Sequence, residues 1–298
     1  MASVARSALC PVRLLLPGRH RRAAEVPPVN TNGSLHVRRA GRLRPGVRPI
    51  VLLHGWSCHG GFFGPQMESL GRETLVLAPD LPGHGRSSEM RARTIEAAAD
   101  AIHALLVAED LQEVVVVGWS MGALVAWSMI ERHGEDRLAA LVIEDMSPKV
   151  LNGPDWALGT RNGLDAARNK VFMRALVAQW PRLAGATARR CLRKDPDPEL
   201  ASWMENEIRK ADGEALCEMW ASLTQQDFRP LLPRLTLPVV LACGTDSQLY
   251  DAEAALWQKK HVAHARLATF ANSGHAPHLE ESALFSQILR DLLQNNTA

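Results

Sequence analysis

Three residue types in this chain could together cleave an acyl bond: a serine between two glycines, a late histidine, and one of several aspartates. The serine lies in Val117-Gly118-Trp119-Ser120-Met121-Gly122, after a run of valines and before a helix-like stretch, Ala123–His133. This is G-x-S-x-G in the context it requires, strand before and helix after. A chain that turns from strand to helix in so few residues holds its serine in a strained conformation. Side chains at 118 or 122 would then meet neighbouring backbone. The hydroxyl is left exposed at the carboxyl edge of a sheet, beside helix N-terminal amides that can stabilise negative charge. A serine hydroxyl is a weak nucleophile near neutral pH and needs a neighbouring base. His275 follows the last strand-like run and comes after Ser120 in chain order, as the Ser…Asp…His arrangement demands.

These segments resemble the α/β-hydrolase superfamily, and within it the esterases and cofactor-free haloperoxidase-like hydrolases, from about residue 33 to the C-terminus. The resemblance implies that His54-Gly55-Trp56 is the oxyanion loop, with the Trp56 and Met121 amides as the two donors. Asp80-Leu81-Pro82-Gly83-His84-Gly85-Arg86-Ser87 is similar to the D-x-x-G-x-G-x-S loop, structural in the family, so His84 is not the base. Gly274-His275-Ala276-Pro277-His278-Leu279-Glu280 looks like the family's G-H-x-P-x-x-E, which makes His275 the base and His278 a loop residue. His103, His133 and His261 fall on surface-like helices, and His20 in the N-terminal arm.

The acid is the open member. It must accept the second imidazole N–H, fixing the tautomer and stabilising the imidazolium. The family spacing G-x-x-D after the penultimate strand falls here on Gly244-Thr245-Asp246-Ser247, with Asp246 one residue early and Ser247 in the acid's place. Some relatives draw the acid from the end of the preceding strand, where Glu144-Asp145-Met146-Ser147-Pro148 offers Asp145. Asp246 is preferred over Asp145, and Asp251 stands behind both.

To position these groups the chain needs a sheet whose strands end together. Strand-like runs at Leu35–Val37, Pro49–Leu53, Thr74–Ala78, Glu113–Val117, Leu138–Ile143, Pro238–Ala242 and Arg266–Phe270 alternate with helical patterns. That alternation predicts an α/β fold, a mostly parallel, eight-stranded-type sheet flanked by helices. Thr94 reads as an N-cap for a helix burying Ile95, Ala98, Ile102 and Leu105. Gly134 reads as a helix stop. A C-terminal helix carries Leu284, Phe285, Ile288, Leu289 and Leu292 on one side. Residues 149–235 contain no strand-like run and are too long for a bare loop. They are expected to form a helical cap between the core segments 29–148 and 236–298. The cap's Trp156, Trp180, Trp203 and Trp220 are read as packing residues, with lining of an apolar substrate cavity as the alternative.

Composition bounds the rest. The net charge of +2 conceals a basic arm, for residues 1–48 hold ten arginines and one acid, Glu25. The mildly acidic remainder gives no footprint for nucleic acid. Residues 1–28 read as a disordered leader, with an organellar transit peptide as the alternative. No apolar run reaches the ~18 residues of a membrane span. Five scattered cysteines without a CxxC pair argue against a disulfide framework or zinc site and suit the cytoplasm. No metal, nucleotide or other cofactor motif is present. The expected activity is therefore a serine hydrolase cleaving an ester or related acyl bond of a small, apolar substrate through an acyl-enzyme. Haloperoxidase or perhydrolase chemistry from the same triad, or a non-catalytic ligand-binding protein, are the alternatives.

Overall fold

The structure, a computed structural model, describes residues 35–294, so the expected leader 1–28 lies outside the described residues. Seven strands form one sheet: β1 (Val37–Ala40), β2 (Ile50–Leu53), β3 (Val76–Pro79), β4 (Val114–Trp119), β5 (Leu138–Glu144), β6 (Val239–Gly244) and β7 (Ala265–Phe270). Their spatial order is β1-β3-β2-β4-β5-β6-β7. Only β1 runs antiparallel to its neighbour, β3; every other pairing is parallel.

The central strands are apolar without alternation because both sheet faces are covered. All residues of β2 and β4 are buried. Each Val or Leu so removed from water contributes about 1.5–3 kcal/mol. Helices α1 (Gly64–Leu70) and α9 (Ser282–Arg290) pack together on one face, and α2 (Ile95–Ala108) and α3 (Met121–His133) on the other. Thr94 caps α2, its hydroxyl accepting from the Ala97 amide at 3.1 Å. Ile95, Ala98 and Ile102 are buried as expected, while the deeper leucine is Leu106 rather than Leu105. In α9, Phe285 and Leu289 are buried, but Leu284 is 45% exposed and does not join the apolar side. Gly134 ends α3 at φ +80°.

Between β5 and β6 come α4 (Ala166–Cys191), α5 (Pro198–Ile208) and α6 (Gly213–Leu223), each with an aspartate as N-cap. α4 bends at Gln179, beside Pro181, which has no N–H for an intrahelical bond. α7 (Ala252–His261) and the short α8 (Pro277–Glu280) complete the described α-helices. None of them is long and apolar enough to cross a membrane.

Candidate active site

Ser120 stands between β4 and α3 with φ +53°, ψ −119°, a conformation that L-residues adopt only under constraint. Two glycines make it possible. A Cβ on Gly118 would lie 2.6 Å from Ala123 backbone, and one on Gly122 would lie 2.1 Å from the Leu53 carbonyl. The Ser120 amide donates to Glu144 O at 3.0 Å, which ties this strand-to-helix turn, the elbow, to the end of β5. Met121 opens α3, and first-turn amides of a helix have no intrahelical acceptor.

The loop after β2 lies directly against this elbow, for a Cβ on Gly55 would sit 3.3 Å from Ser120 Cβ. The fully buried His54 accepts from the Leu81 amide at Nε2, 2.8 Å away, so its proton is on Nδ1, which donates to Gly55 O at 2.8 Å. Burial holds the imidazole well below its usual pKa and therefore neutral. Because a trans peptide points its N–H opposite to its C=O, fixing the Gly55 carbonyl also fixes the direction of the Trp56 amide. The Trp56 side chain reaches up to the inserted helices, donating from Nε1 to Leu216 O at 3.0 Å. Its ring lies 4.7 Å from Trp220, 5.3 Å from Trp180 and 6.3 Å from Phe172. Trp203 packs on Phe62 at 4.8 Å. Trp156 is apart from this cluster, edge-on to Trp257 at 5.0 Å.

His275 Nδ1 is 2.6 Å from Asp145 Oδ2, both side chains being almost wholly buried. A carboxylate there accepts the Nδ1–H hydrogen bond, which keeps the proton on Nδ1 and leaves Nε2 with a free lone pair. The loop carrying His275 is tied to the elbow by Trp119 Nε1, which donates to His275 O at 2.7 Å. Asp145 Oδ2 also accepts from Ser247 Oγ at 2.6 Å. Burial and the nearby Asp145 carboxylate push the Cys243 thiol up to about 11 and the Tyr250 phenol higher still, so both stay neutral near pH 7.

The preference for Asp246 does not match this geometry. Asp246 faces outward, its Oδ2 accepting from the Lys194 amide at 2.7 Å and its side chain 31% exposed. Asp251 pairs with Arg161 at 2.9 Å. The reason is the register of β5 and β6. Glu144 pairs with Ala242, so Asp145 emerges beside the loop after β6 and meets Ser247, the residue at the family's acid position. Asp145 leaves the strand with φ +44°, a left-handed turn that strand patterning does not show. The signal the sequence carries is Ser247 standing where the family spacing expects an acid.

His84 is buried, donates from Nδ1 to Pro82 O at 3.0 Å, and is lowered to about 4 by burial. Asp80 accepts from the Gly60 and Arg86 amides at 2.8 Å each and from Arg38, bracing its own loop. His278, expected as a loop residue, lies in α8. It is wholly buried, and its backbone N and Nδ1 both lie 2.9 Å from Glu144 Oε1. Neither member of that pair was singled out by motif spacing.

A family model described as "Alpha/beta hydrolase family" matches residues 50–288. The chain belongs to this family. The hydrolase is 29% identical over 253 residues to the pimeloyl-[acyl-carrier protein] methyl ester esterase of Chromobacterium violaceum, covering 82% of this chain and 94% of that protein. It is 32% identical over 262 residues to the protein of the same name from Aromatoleum aromaticum, covering 82% and 98%. Among solved structures, the hydrolase resembles an esterase from Exiguobacterium antarcticum with TM-score 0.77 at 22% identity, covering 86% of this chain and 94% of the other. It also resembles a bromoperoxidase from Bacillus anthracis with TM-score 0.79 at 19% identity, covering 87% and 94%. Among the described residues of the hydrolase, no cluster of three or more His, Cys, Asp or Glu side chains could hold a metal ion.

Proposed function

We propose that this hydrolase cleaves carboxylic esters of small, apolar substrates through an acyl-enzyme on Ser120, with His275 as general base and Asp145 as its partner. The observation that carries the reading is the 2.6 Å contact of His275 Nδ1 with Asp145, on a loop bonded to the residue before a strained Ser120. In the first half-reaction Ser120 Oγ attacks the ester carbonyl while its proton passes to His275 Nε2. The carbonyl oxygen, now negative, is held by the Trp56 and Met121 amides. Collapse expels the alcohol, which takes the proton from His275. In the second half-reaction water attacks the acyl-enzyme, gives its proton to the same nitrogen, and releases the acid with Ser120 restored.

The relatives named as methyl ester esterases support ester chemistry. The aromatic cluster of Trp56, Phe172, Trp180 and Trp220 above the oxyanion loop supports an apolar acyl or alkyl group. Residues 149–235 would then act as the cap that selects it. The free thiols among the described residues fit a reducing, cytoplasmic setting.

A panel of p-nitrophenyl esters of increasing chain length tests the reading, assayed with the wild type and Ser120→Ala. Turnover should fall roughly 10^4-fold or more in the variant at unchanged melting temperature, and labelling by a fluorophosphonate probe should vanish. Ester turnover that survives in Ser120→Ala would overturn it.

A further inference from the structure

Glu144, the last residue of β5, and Asp145, the next in the chain, hold two histidines three residues apart around the start of α8. Asp145 takes His275; Glu144 takes His278. The second pair is wholly buried, with Glu144 Oε1 2.9 Å from both the backbone N and the Nδ1 of His278. The His278 ring lies 4.6 Å from Phe63, 4.6 Å from Trp119 and 6.0 Å from Phe285, and its carbonyl accepts from Gln66 Nε2 at 2.7 Å. Glu144 also receives the Ser120 amide on its own carbonyl. Thus the elbow, the β5 end and the α8 turn are each bonded to the other two through residues 119, 120, 144, 145, 275 and 278.

Such a pair is a poor source of stability. Its desolvation offsets most of its attraction, and apolar residues of similar volume commonly serve as well or better. Here Glu144 Oε2 and His278 Nε2 have no partner among the described residues, which deepens that cost. What the pair supplies is direction. A single carboxylate oxygen shared by a backbone N–H and a ring N–H fixes both the height and the rotation of the α8 turn relative to β5. Asp145, the next residue, is held in a left-handed conformation that an unrestrained chain would leave.

We propose that Glu144 and His278 are positioning residues for the reaction, clasping the α8 turn to β5 so that Asp145 and His275 stay in register with Ser120. This rests on the reading of Asp145 and His275 as catalytic, and it assigns the second pair no contact with substrate.

Glu144→Gln keeps an acceptor but loses the charge that strengthens both bonds; His278→Asn keeps a donor but shortens its reach. Each should lower kcat about tenfold at unchanged KM, measured on the best ester of the panel with folding checked by thermal melts. The decisive arm repeats both substitutions in an Asp145→Asn background. There the clasp has little left to position, and the further loss should be under twofold, a non-additivity expected of residues acting through one another. A folded Glu144→Gln enzyme with kcat within twofold of wild type overturns the proposal. So does a tenfold loss that recurs undiminished in the Asp145→Asn background, since a general structural role predicts that outcome. Should Glu144→Gln fail to fold, His278→Asn carries the same test. Failure of the catalytic reading would show separately, as Asp145→Asn that retains near-normal turnover whatever Glu144→Gln does.

Discussion

His275–Asp145 and His278–Glu144 are built from the same kinds of side chain, from the last residue of β5 and the one after it and from positions three apart around the α8 turn. Their surroundings differ. His275 lies beside Tyr250, with ring centroids 5.9 Å apart, and its acid carries a second donor, Ser247. His278 is enclosed by Phe63, Trp119 and Phe285, and its acid keeps one oxygen bare. An imidazole can work as a base only if its second nitrogen reaches a reacting atom and the charge it gains is stabilised by a well-bonded carboxylate. Residue type does not assign the catalytic role; the neighbours do.

The largest expected effect is at the carboxylate beside His275. Asp145→Asn should lower kcat roughly 10^3–10^4-fold, by presenting the wrong group to Nδ1, while Asp246→Asn stays within about threefold. Steady-state kinetics on one ester would reverse the assignment if the two outcomes were exchanged. Ser247→Ala comes next. It removes a short hydrogen bond to the Asp145 oxygen that also binds His275, and kcat should drop about tenfold with little change in KM. An unchanged kcat would mean that Ser247 only fills space at the position where the family spacing places an acid.

The smallest expected effect is on stability and concerns Glu280, whose carboxylate accepts from the Arg193 and Gly274 amides at 2.8 and 2.7 Å. Burial nonetheless pushes it up to about 7. A carboxyl raised in the folded state favours folding most below its ordinary pKa, 4.5, and that contribution is lost as pH rises to about 7. Glu280→Gln should therefore gain on the wild type as pH goes from 5 to 8, read as a converging or crossing pair of melting-temperature profiles. Parallel profiles would show that Glu280 titrates normally.

Much of the architecture is legible in the sequence. The four valines of β4, the N-cap at Thr94 and the Gly134 stop are local signals. They depend on propensity and on steric needs of the backbone within a few residues. Leu284, on the apolar side by periodicity, is exposed because helical periodicity gives a face without saying how wide the covering surface is. The acid was harder still. Spacing after β6 pointed to Asp246, whereas the position beside His275 depends on how β5 and β6 pair.

By itself, then, the sequence determined the elbow at Ser120 and marked out the His54–Trp56 loop, because glycines, strand and helix there are contiguous and their sterics are local. Tertiary structure alone decided which carboxylate meets which histidine. Glu144 and Asp145 are neighbours in the chain, yet they point to different partners about 130 residues away. Strand register, the left-handed turn at Asp145 and the closure of the α8 turn over β5 fix that choice, and none of the three is written in a local pattern.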